Sequence, residues 1–94
     1  MFHIRKPKKV LIIGGGDGGA AEEYLKHPSI DDVYLIEIDK DVIDFSINHL
    51  SFIHNNVFDN PKLHVIVEDG YSFVKKTDQK FDIILLDLTD PFGP

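Results

Sequence analysis

Four short apolar runs, Val10–Ile13, Val33–Ile38, Leu63–Val67 and Phe81–Leu86, constrain the fold of this chain more than any other feature. Each is rich in Val, Ile and Leu, and all but the first nearly lack the two-residue alternation of a half-solvated strand. Such runs read as strands buried on both faces, as in a parallel sheet covered by helices. The segments between them have helical periodicity. From Ala20 to Leu25 the apolar residues Ala20, Ala21, Tyr24 and Leu25 share one face, while Glu22 and Lys26 form an i,i+4 pair on another. Pro28 lies just past that segment, where helices stop. Asp41 to Leu50 repeats the pattern, with Val42, Ile43, Ile47 and Leu50 on one stripe. Gly70 to Lys76 supplies one or two turns, and the stretch from about Ser51 to Pro61 reads as a loop.

The order β-α-β-α-β-α-β predicts right-handed crossovers and a Rossmann-like, doubly wound α/β parallel sheet with strand order 3-2-1-4. Ninety-four residues hold one domain, so residues 1–94 read as a single nucleotide-binding unit. Pro91-Phe92-Gly93-Pro94 follows the fourth run directly, with no further helix to cover a central strand. The unit is therefore expected to be partial, cut after its fourth strand. No apolar run reaches the eighteen or so residues of a membrane span. After the basic start, Met1 to Lys9, the apolar run Val10–Ile13 is too short for a signal-peptide core. The absence of cysteine excludes disulfides and thiolate metal sites. The histidines, His3, His27, His49, His54 and His64, have no metal-ligand spacing and are expected on surfaces. No metal site is expected, and the cytoplasm is the default location.

The first run leads into Gly14-Gly15-Gly16-Asp17-Gly18-Gly19, which opens the first helix. Glycines there permit a tight turn, close approach of a ligand to the backbone, and close helix-strand packing. A purely structural turn would use the same residues, but the position between an apolar strand and an amphipathic helix favours a nucleotide loop. Asp17 narrows the ligand: a carboxylate where a pyrophosphate normally sits repels phosphate and attracts ammonium. It can also serve the helix as a cap, and the two roles can coexist. Glu37 closes the second run, where an acid binds ribose hydroxyls. Asp39 reads as the cap of the next helix. Asp69-Gly70 ends the third run and Asp87 the fourth, with Asp90 just beyond. Ligands bind open α/β sheets outside the carboxyl ends of the strands, so these acids converge on the binding crevice. The net charge of −6, from sixteen acidic and ten basic residues, argues against a nucleic-acid partner. An acidic crevice suits a positively charged nucleoside without phosphate, such as an adenosyl sulfonium compound.

Taken together, Gly14–Gly19 with Lys26-His27-Pro28, Glu37-Ile38-Asp39, Asp69-Gly70 and Asp87-Leu88-Thr89-Asp90-Pro91-Phe92-Gly93-Pro94 resemble the signature of the spermidine synthases. The resemblance covers almost the whole chain. It implies the sheet of the class I methyltransferases and a polyamine aminopropyltransferase. In that reaction decarboxylated S-adenosylmethionine, a co-substrate, gives an aminopropyl group to an amine such as putrescine, leaving methylthioadenosine. No prosthetic group is implied. By resemblance, Glu37 holds the ribose, Asp69 with Gly70 the adenine, and Asp17 helps hold the donor. Asp87 is the proton acceptor and Asp90 helps seat the amine. The resemblance also implies a β-rich domain before this segment, a sheet-completing part after it, and a homo-oligomer. The segment alone is expected to be inactive. Glu22 stands where the family commonly has Arg, and Leu88 where it commonly has Ser, which leaves the acceptor amine open.

Three other readings compete. A methyltransferase on the same fold would bind the carboxylate-bearing donor, which Asp17 should disfavour. A non-catalytic nucleoside-binding module would bind without turnover. An NAD-dependent enzyme comes last, since these acids would face a pyrophosphate.

Overall fold

The computed structural model describes residues 6–87. Four parallel strands, β1 (Lys9–Gly14), β2 (Asp32–Glu37), β3 (Leu63–Val67) and β4 (Ile83–Asp87), form one sheet in the order β3-β2-β1-β4. This is the strand order expected from the alternation of runs and helical segments. The register sets Val10 beside Val33 and Ile83, and Gly14 beside Asp87. Glu37 lies beside Val67. All four carboxyl ends therefore point to one edge of the sheet.

The helices are α1 (Gly19–Leu25), α2 (Lys40–His49), α3 (Ser51–His54) and α4 (Gly70–Lys76), with a 3-10 turn at Val57–Asp59. One face of the sheet carries Val10, Ile12, Val33 and Leu35, packed with Ala21, Ile30, Ile43 and Val57 from α1, α2 and the connecting segments. The other face joins Leu11 and Ile36 to Phe73 of α4, with Ile13, Tyr34, Ile66 and Phe81 around them. Fully burying one such aliphatic or aromatic side chain contributes about 1.5–3 kcal/mol, so β1 and β2 are the energetic centre of the sheet.

Burial on both faces holds for β1 and β2 only. On β3 and β4 it alternates, leaving Val65, Val67, Ile84 and Leu86 exposed. Among the described residues these are the outer strands, and α4 stops short of β4, so an apolar run does not ensure cover. Strand limits also shift at two places. Phe81 and Asp82 precede β4, because the Asp82 carboxylate accepts the backbone N–H groups of Lys8 (2.8 Å) and Lys9 (3.0 Å). Ile38 leaves β2 and is exposed where the chain turns into α2.

The stripe expected on α2 is corrected too. Its buried residues are Ile43 and Ser46, while Ile47 is 48% exposed and Val42 39%. Ser46 can be buried because its hydroxyl donates to the Val42 carbonyl (2.7 Å), which satisfies the polar group inside the helix. The stretch 51–61 is structured, not a plain loop: α3 and the 3-10 turn occupy most of it. A single turn is too short to show a period. Asn55 and Asn56, both at positive φ, link the two pieces, a conformation that asparagine tolerates better than most residues.

Candidate active site

The glycine loop leaves β1 with Gly15 at φ +70° and Gly18 at φ +82°. Both lie in the left-handed region, which glycine enters without the clash a Cβ brings. Space is equally limiting. A Cβ on Gly15 would stand 2.7 Å from Asp87 Oδ2, and one on Gly16 would stand 2.7 Å from Glu37 Oε1. The loop thus threads between the carboxylates that end β4 and β2. The order of the sheet reverses direction between β1 and β4, which is where doubly wound folds bind ligands.

A cleft of about 630 Å³ opens at this point. Gly14, Gly15 and Gly16 form one wall, Val42, Phe45, Ser46 and Leu50 another, and five carboxylates line it: Asp17, Glu37, Asp39, Asp41 and Asp87. Among the described residues no lysine or arginine lines it. Carboxylates gathered around one cavity give it a negative potential, which favours cations and disfavours phosphates.

Two of the acids also hold local structure. The Gly19 N–H donates to Asp17 Oδ1 (2.8 Å), so Asp17 secures the first turn of α1 from just outside the helix, while Gly18 is the N-cap residue. Asp39 is the N-cap of α2, as expected, accepting from the Asp41 N–H (2.9 Å). The Asp39 N–H in turn donates to Glu37 Oε2 (3.1 Å), which orients the Glu37 carboxylate at the end of β2.

The structure therefore brings together Gly14, Gly15, Gly16, Asp17, Glu37 and Asp87 of the residues singled out from sequence. Gly18 stands behind the loop, where a Cβ would meet His54 and Phe58. Asp69 is not among the lining residues; it caps α4, accepting from the Ser72 N–H (3.2 Å) and hydroxyl (3.1 Å). Gly70 is buried, and a Cβ there would collide with Ile13 of β1, so close helix-strand packing alone requires glycine. Asp90, Leu88 and the Pro91–Pro94 segment lie outside the described residues. Sequence reasoning missed Asp41 and the wall formed by Val42, Phe45, Ser46 and Leu50. The available signal was the excess of apolar residues on α2 beyond what one buried stripe can use.

One expectation about the histidines is overturned. His54 is 1% exposed, with Nε2 2.8 Å from the Ser46 carbonyl oxygen. It is buried because α3 folds back under the glycine loop. His64 is half-buried and stacks on Tyr34, with Nε2 2.9 Å from Asp32 Oδ1. His27 and His49 are exposed, and His3 lies outside the described residues. In a separate cavity between α1 and the 51–61 segment, Glu22 Oε1 accepts from the Asn55 side-chain amide (3.0 Å). That bond, helped by Lys26 at 3.4 Å, holds the Glu22 carboxyl below its ordinary value although desolvation pushes upward. Among the described residues there is no group of three or more His, Asp or Glu suited to a metal ion. No helix of the described residues is long and apolar enough to cross a membrane.

Parallel order with a glycine loop at the switch point defines a Rossmann-like α/β unit, and an acidic cleft opens at the carboxyl ends of its strands. The sequence matches the family described as "Spermine/spermidine synthase domain" across residues 1–94, and the chain belongs to that family. It is 51% identical over 87 residues to the polyamine aminopropyltransferase of Ruegeria sp., covering 93% of this chain and 31% of that protein. The Sulfurisphaera tokodaii polyamine aminopropyltransferase is 47% identical over 91 residues, covering 97% of this chain and 30% of that one. A crystal structure of spermidine synthase with the transition-state analogue AdoDATO superposes with a TM-score of 0.84 at 42% identity, covering 93% of this chain and 29% of that chain. The Thermotoga maritima spermidine synthase superposes at 0.83 with 44% identity, covering 90% and 29%. The chain thus spans about 30% of the length of the curated relatives it matches.

Proposed function

We propose that the complete protein is a polyamine aminopropyltransferase. It transfers the aminopropyl group of decarboxylated S-adenosylmethionine to an amine such as putrescine, giving spermidine and methylthioadenosine. One observation carries this reading: among the described residues, five carboxylates and no basic side chain line the cleft at the glycine loop. Loss of the donor's carboxylate leaves an ammonium and a sulfonium, and both are attracted by such a wall. The membership of the chain in the spermine/spermidine synthase family supports it further.

In this account Glu37, oriented by the Asp39 N–H, accepts from the ribose hydroxyls, and Asp17 faces the donor ammonium. Asp69 and Gly70, which lie at the end of β3 outside the cleft's lining residues, are assigned to the adenine by the family resemblance alone. Asp87 takes the proton. The neutral nitrogen of the acceptor attacks the carbon bonded to sulfur. The C–S bond breaks, its electron pair goes to sulfur, and a neutral thioether leaves without needing an acid. An alkylamine with a pKa near 10.4 is neutral in only about one molecule in a few thousand at pH 7. A carboxylate placed to receive the proton as the nitrogen approaches removes most of that handicap. Asp90, just beyond β4 in sequence, seats the second ammonium of the acceptor. The reading includes a homo-oligomeric, cytoplasmic enzyme acting on small molecules.

The test is turnover of the complete protein with decarboxylated S-adenosylmethionine and putrescine, followed by methylthioadenosine release. Asp87→Asn should lower kcat by about 10²–10⁴-fold, with donor affinity within a few-fold, because Asn is nearly isosteric. Asp90→Asn should act mainly on the amine's KM. Methyl transfer from ordinary S-adenosylmethionine in place of spermidine formation would replace this reading with a methyltransferase. Near-normal kcat in Asp87→Asn with collapsed donor binding would make Asp87 a binding residue only.

A further inference from the structure

We infer that His54 is a positioning residue for the donor cleft, bolting the α2 wall to the glycine loop; the inference rests on the cleft being the donor site. Three contacts converge on this buried side chain. Its Nε2 lies 2.8 Å from the Ser46 carbonyl oxygen. A carbonyl only accepts, so Nε2 carries the hydrogen and donates. Ser46 itself lines the cleft, and its hydroxyl is already committed to the Val42 carbonyl. On the other side, the Cβ of His54 lies 2.8 Å from where a Cβ of Gly18 would be, with Phe58 and Val57 closing the same space. The ring also meets Phe58 edge to face, with centroids 4.9 Å apart at 89°. His54 thus touches both the loop that carries Asp17 and the helix that carries Asp41, Val42 and Phe45.

The tautomer gives the argument its direction. With the hydrogen on Nε2, Nδ1 is left as an acceptor, and it is buried with no partner among the described residues. Buried polar atoms without partners are rare because they lose water and gain nothing in return. A leucine of comparable size would fill the same space without that penalty. Beyond its edge-to-face contact with Phe58, the imidazole has one polar advantage over leucine, the bond to Ser46, and that bond fixes the last turns of α2 relative to the glycine loop. Cleft width, and hence the fit of the nucleoside, depends on this link. The chemistry at Asp87, on the far side of the loop, does not.

The experiment compares three variants of the complete protein by calorimetric titration with methylthioadenosine and by steady-state kinetics. His54→Gln keeps an amide nitrogen where Nε2 stands, so the bond to Ser46 survives. His54→Leu keeps the bulk and loses the donor. His54→Asn places its amide nearer the Nδ1 position and falls short of Ser46. The expected result is methylthioadenosine binding weakened about fivefold in His54→Leu and His54→Asn, and within about twofold of wild type in His54→Gln, the loss being that of one hydrogen bond to a carbonyl that keeps the Leu50 N–H. The donor's KM should rise in parallel while kcat at saturating donor and the amine's KM stay within about twofold. His54→Asn serves if the leucine variant does not fold. Equal binding across all three variants, or a fall in kcat with unchanged nucleoside binding, would overturn the inference. A wild-type protein that does not bind methylthioadenosine would instead overturn the reading of the cleft.

Discussion

Asp17 has a structural role in the turn and a proposed electrostatic one toward the donor, and the two can be separated. Its Oδ1 accepts from the Gly19 N–H, a bond that an asparagine side chain can also accept. Asp17→Asn therefore removes the charge and leaves the turn. A charge-assisted hydrogen bond to an ammonium contributes roughly 1.5–3 kcal/mol, so the decarboxylated donor should bind the variant at least about tenfold more weakly. Ordinary S-adenosylmethionine should lose less, since its carboxylate no longer faces a negative charge. Equal losses, measured by titration of both donors, would leave Asp17 with the turn alone. Gly70 invites a different test. Because a Cβ there meets Ile13, Gly70→Ala should destabilise the protein by about 1–3 kcal/mol through overpacking. That loss should shrink in an Ile13→Ala background. A denaturant double-mutant cycle checks it, and additive losses would show that the contact is not the cause.

The elements differ in how much of them the sequence reveals. The glycine string, the carboxylates at strand ends and the strand order follow from pattern, because each depends on local spacing. The segment 51–61 does not, because α3 and the 3-10 turn are held by contacts to residues remote in sequence. Asn55 reaches Glu22, and His54 reaches Ser46. The α2 stripe was misjudged for the same reason: Val42 and Phe45 turn toward the cleft, and Ser46 takes the buried position. The Glu22–Asn55 link has a consequence for pH. A carboxyl held below its ordinary value of 4.5 contributes stability that is fully present above that value. It is lost as pH falls through the lower folded-state value. Glu22→Gln removes this titration while retaining an acceptor for Asn55, so its melting temperature should fall less steeply than wild type's below about pH 4.5. Parallel acid limbs for the two proteins would contradict the assignment. Lys26, raised above its ordinary 10.5 chiefly by its hydrogen bond to Glu23, acts in the opposite window and loses its contribution only as pH rises through that higher value.

For the molecule as a whole, the sheet is strongest at its centre and open at β4. Ile84 is 58% and Leu86 64% exposed on the face that α4 covers over β1 and β2 but leaves open at β4 among the described residues. An open apolar strand templates association, so the 94-residue chain by itself should self-associate in size-exclusion chromatography with light scattering. Ile84→Thr with Leu86→Thr should reduce that association; an unchanged oligomer would place the contact elsewhere. Ile84 and Leu86 do not line the acidic cleft, which takes only Asp87 from β4.

The most direct test of the cleft's role is calorimetric titration of the complete protein with decarboxylated and with ordinary S-adenosylmethionine under one set of conditions. The carboxylate wall predicts that the decarboxylated donor binds at least about tenfold more tightly, with the difference narrowing as salt screens the charges. Equal affinity, or tighter binding of ordinary S-adenosylmethionine, would contradict a cleft built to hold a cationic aminopropyl donor.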